Sequence, residues 1–186
     1  MVHSLRSPKA SLLRRGAKLL AGSKNRPPFQ PGELQELLHH VAYEYLMFEY
    51  TRTVWQACRQ RHGLEALLLH CRNLRDFLFG ATNDGARHLE SMFTSTDYVP
   101  EWDSQKGNHR FRVLWDTKKA MDAQLAHLSR GRADPTVQQA LDTEAENIAS
   151  AIAEAWDSFR KALTPTTWAA SLDSTIAAKR EELGLE

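Results

Sequence analysis

The stretch Leu67-Leu68-Leu69-His70-Cys71-Arg72-Asn73-Leu74-Arg75-Asp76-Phe77-Leu78 sets His, Arg, Asn and Asp side chains inside an apolar helical pattern. An imidazole beside a guanidinium could move a proton or grip a phosphate, and a carboxamide could orient either. A second group, His127, Arg130 and Arg132, ends a later helical pattern, where two guanidiniums and an imidazole could hold an anion. The candidate catalytic residues are therefore His70, Arg72, Asn73, His127 and Arg130, and the candidate anion ligands are Arg130 and Arg132. Each also has a purely structural account. His70 can be a half-buried imidazole satisfied by a neighbouring helix, Arg72 and Asp76 a local ion pair, and His127 with the arginines a complement to a helix C-terminus.

Geometry along the helix narrows these options. At about 100° per residue, Leu67, Cys71, Leu74 and Leu78 centre the apolar face. His70 lies on one flank with Asn73 just beyond it, and Arg72 and Arg75 lie on the other. The polar residues thus form two flanks, and only the His70/Asn73 side is placed to face inward. A site there has to be completed by another element, for which His127 with Arg130 is the leading candidate.

Other chemistries lack their signatures. The sequence has no HExxH, no Glu-x-x-His of a di-iron bundle, no P-loop and no GxGxxG. His39 and His40 are adjacent and point about 100° apart, a poor arrangement for joint metal ligation. Cys58 and Cys71 form no CxxC pair and read as reduced, small apolar residues. Neither a metal nor a cofactor is expected.

These residues must be positioned by helices. Leu34, Leu38, Val41, Tyr45, Phe48 and Trp55 recur at helical spacing with Arg52 interrupting the stripe, and His62-Gly63 reads as the stop. A second helix is expected from Leu64 to Phe79, closed by Gly80. The long connection at 80–106 carries a possible turn at Ala86–Phe93, then Phe93, Tyr98 and Trp102, which should pack down on the bundle. A third helix is expected over Asn108–Ser129. Its side bearing Asp116, Ala120, Ala123 and His127 forms a second, small-residue face suited to another helix or subunit. Asp134-Pro135 opens a fourth helix with a near-heptad apolar seam from Val137 to Leu163, and Thr164-Pro165 opens a fifth. The fold class expected is all-α: a four-helix up-down bundle with an additional C-terminal helix and a disordered basic N-terminal arm.

Charge divides the chain in the same way. Residues 1–30 hold seven Lys or Arg and no Asp or Glu, so the whole-chain charge of +1 leaves −6 on residues 31–186. A basic flexible arm of 1–30 and a single bundle domain of 31–186 are expected. The acidic body is a weak footprint for RNA, although the arm could touch nucleic acid or an anionic surface. No run approaches the ~18 apolar residues of a membrane span or forms a signal-peptide core, so a cytoplasmic address is expected.

The chain resembles an uncharacterised bacterial helical-bundle family with an LLxHxRNLxDFL helix, a DYxxxW loop and an LAHLSxxR helix end. The matching residues here are Leu68–Leu78, then Asp97-Tyr98 with Trp102, then Gln124-Leu125-Ala126-His127-Leu128-Ser129-Arg130. More distantly it is similar to HEPN bundles, many of them metal-independent ribonucleases, whose signature is an Arg, then four to six residues, then a His. Ala120, Met121 and Asp122 stand where that Arg would fall. The function expected is a non-catalytic interaction or dimerising module, with a homodimer or another protein as partner. The alternative is an HEPN-like ribonuclease or RNA-binding protein of bacterial defence.

Overall fold

Pro31 opens the first helix, α1 (Pro31–Cys58), where its fixed φ suits the first helical turn and its missing N–H is no loss. The Gln30 N–H donates to the Glu33 carboxylate at 2.7 Å, satisfying a backbone group at the helix start. The computed structural model describes residues 28–80, 93–102, 109–125 and 135–185, without the side chains of Ala123, Gln124, Val137 and Gln138. The basic arm up to residue 27, the turn expected at 86–92 and Asp134 lie outside the described residues. Among the described residues the chain is all-α, with no strand.

The first helix ends earlier than His62-Gly63. Arg59 adopts a left-handed conformation (φ 51°), its N–H donates to the Trp55 carbonyl at 2.7 Å, and its guanidinium lies 4.2 Å from the Trp55 ring centroid. Helix α2 (Arg61–Phe79) then starts after a two-residue link. Gly63 sits in its first turn and is a packing residue, not a stop. A Cβ there would sit in ordinary van der Waals contact with the Trp55 Cα at 3.4 Å, so α2 begins close against the end of α1. Gly63 beside Trp55 and His70 beside Glu44 run in opposite directions along the two helices, so α1 and α2 form an antiparallel hairpin.

The third limb also departs from the sequence reading. It consists of a 3-10 turn (His109–Phe111), a short helix α3 (Arg112–Asp116) and a second short helix α4 (Lys118–Leu125), broken at Thr117. The Thr117 hydroxyl donates back to the Val113 carbonyl at 2.6 Å, a local bond that competes with regular helix and bends it. Phe111, Leu114 and Met121 are nonetheless buried as the periodicity requires. Helix α5 (Pro135–Leu163) buries Leu141, Ala145, Ile148, Ile152, Ala155, Phe159 and Leu163, the near-heptad seam of the sequence. Helix α6 begins at Trp168 and ends at Glu182, later than Thr164-Pro165 suggests. Thr164 continues the last turn of α5, its N–H reaching the Arg160 carbonyl, and Thr166 makes the turn by bonding Leu163.

The core lies where α2 meets α1 and α5, and the segment 93–102 closes one end of it. The Leu78 carbonyl, near the C-terminus of α2, accepts from the Ser95 hydroxyl at 2.7 Å and the Trp102 indole at 2.5 Å. The Tyr98 hydroxyl donates to the Leu34 carbonyl at 2.9 Å. The last carbonyls of a helix lack intrahelical donors, so Ser95 and Trp102 supply what Leu78 needs, while Tyr98 ties the segment to the first turn of α1. Phe77, Tyr98, Trp102 and Phe159 meet edge to face around it. Trp102→Ala should cost about 3–5 kcal/mol through lost packing, whereas Trp102→Phe should cost about 1 kcal/mol through one lost bond. Thermal unfolding followed by circular dichroism separates the two, and equal costs would show that the N–H, not the ring, closes the helix end.

Candidate functional site

The two flanks of α2 turn to different neighbours. On the side facing α1, the His70 Nδ1–H donates to the Glu44 carboxylate at 2.7 Å, and Tyr43 meets the imidazole edge to face at 6.1 Å between centroids. The His70 side chain is 8% exposed. A carboxylate on Nδ1 fixes the tautomer and orients the ring, the support a general base needs, yet here it also bolts α1 to α2 across the hairpin. Asn73 is half-buried one turn further on.

The opposite flank holds a denser charge cluster. Arg75 is 1% exposed, and its Nε and Nη2 donate to Asp76 Oδ1 at 3.0 and 2.8 Å. Asp122 of α4 lies 3.6 Å from Arg75 and 3.3 Å from Arg72, and Lys118 binds its other oxygen at 2.8 Å. Arg72 stands 3.9 Å from Asp76. Three cations thus surround two carboxylates, leaving the cluster at net +1. Arg75 Nη1 and Asp122 Oδ1 are buried without a hydrogen bond. The cluster pins α4 against α2.

A third polar contact explains why Arg52 interrupts the apolar stripe of α1. Its guanidinium reaches Glu146 of α5 at 3.1 Å and Ser150 at 3.4 Å, while Gln56 donates to the same carboxylate at 2.9 Å. Tyr45 stacks on Trp156 nearby at 4.4 Å. Burial pushes the Tyr45 hydroxyl well above its ordinary range, reinforced by its hydrogen bond to Glu49. Burial likewise pushes the Cys71 thiol far up, and the charges of Arg52 and Arg75 offset this only in part. Cys71 is therefore an inert core thiol.

The candidate residues do not converge as a set. His70 points to α1 and Arg72 to α4, while His127, Arg130 and Arg132 lie outside the described residues. Arg75, Asp122, Lys118, Glu44 and Glu146 are the partners that sequence reasoning missed. Asp122 stands where the HEPN signature would put an arginine, but nothing local signals that it crosses to another helix. Of the expected small-residue face, Ala120 is half-buried against the core, and the side chain of Ala123 is not described. Among the described residues no group of three or more His, Cys, Asp or Glu could hold a metal.

The outward side of the hairpin is different in kind. Tyr43, Tyr50 and Leu69 are 37%, 49% and 41% exposed, and they are the large apolar side chains standing in solvent among the described residues. At helical spacing, the outward row of α1 starts at Glu36 and continues through His40, Tyr43, Met47, Tyr50 and Val54. That of α2 reads His62, Ala66, Leu69 and Asn73. Glu36 marks the rim; from His40 to Val54, and along the row of α2, no position is Asp, Glu, Lys or Arg.

No family model, curated protein or solved structure matches the chain.

Two outcomes follow from this geometry. Asp76→Ala should destabilise the protein by about 3–5 kcal/mol, because it strips a buried guanidinium of its main partner, and adding Arg75→Met should recover most of that loss. Denaturant unfolding measures both, and no recovery in the double variant would mean that Arg75 is not the cause. A thiol reagent should modify exposed Cys58 in the native chain and reach Cys71 only on unfolding.

Proposed function

We propose that the protein is a non-catalytic interaction module working through the outer face of the α1–α2 hairpin. The observation that carries this is the coincidence of Tyr43, Tyr50 and Leu69 on one surface whose outward rows bear no Asp, Glu, Lys or Arg from His40 to Val54 and from His62 to Asn73. Helices exposed to water ordinarily place charged residues outward, and interface centres are depleted of charge and enriched in Tyr and Met. Helix α1 has apolar side chains on both sides: one builds the core, and on the other Tyr43 and Tyr50 stand in solvent.

The polar residues of α2 support the same reading from the opposite direction. His70, Arg72 and Arg75 are each engaged by a carboxylate of the protein itself, so they hold helices together. A ribonuclease of the HEPN kind would need His70, Arg72 and His127 around one phosphate, and the first two face different helices. The likeness to the LLxHxRNLxDFL family belongs to this reading as a helical scaffold. No described helix is long and apolar enough to cross a membrane, and a cytoplasmic setting suits a chain whose two thiols serve as small core and surface residues.

The full-length protein incubated with single-stranded RNA and a chelator is expected to leave it intact. Cleavage that disappears in His127→Ala or His70→Ala, at unchanged thermal stability, would overturn the proposal.

A further inference from the structure

We draw no further inference here: the strongest candidate, the outward apolar face of the α1–α2 hairpin around Tyr43, Tyr50 and Leu69, carries nothing further because nothing in the structure shows what covers it.

Discussion

Burying the Arg75 guanidinium is the constraint that organises the polar half of this fold. A cation 1% exposed in a helical core must be neutralised by carboxylates held at bonding distance, since leaving it bare costs several kcal/mol. Asp76 supplies one from the same helix. Asp122 supplies the other only if α4 lies against α2, and Lys118 and Arg72 then share the charge. The short, broken third limb is held by this cluster together with the burial of Phe111, Leu114 and Met121. A buried ion cluster adds little net stability over an apolar one, but it tolerates few alternative arrangements. Its place in the fold is register.

The same logic recurs at the other two contacts. Glu44 fixes His70 between α1 and α2, and Glu146 fixes Arg52 between α1 and α5. Each polar interruption of an apolar stripe is matched by a carboxylate from the facing helix. Of the residues that first suggest catalysis, His70 and Arg72 therefore serve to set how α2 meets α1 and α4. Their side chains are occupied with carboxylates of the protein itself.

Much of the fold is legible in the sequence because periodicity reports burial directly. The stripe of α1, the seam of α5 and the inward Tyr98 and Trp102 follow from spacing alone. What is not legible depends on contacts between distant segments. Gly63 reads as a helix stop, but its role is set by the Trp55 backbone it approaches. Arg75 sits on the flank of the wheel at an angle that either solvent or α4 could occupy, and only the placement of Asp122 decides. The separation of His70 from Arg72 is legible, since two positions two residues apart on a helix cannot face one neighbour. The exposed row on α1 is hidden for another reason: Tyr43, Met47 and Tyr50 blend with the core stripe in a helix apolar on both sides.

That two-sidedness is where stability and function come into tension. An apolar residue placed outward contributes nothing to a monomer's core and raises its tendency to associate. Burial of the inner stripe already accounts for the stability of α1, with Leu38, Val41, Leu46 and Phe48 at 2% exposure or less. The outer row is thus unnecessary for folding, and the absence of any charge within it between His40 and Val54 removes the usual guard against association. Tyr43, Tyr50 and Leu69 are the places among the described residues where this two-sidedness leaves large apolar side chains in water.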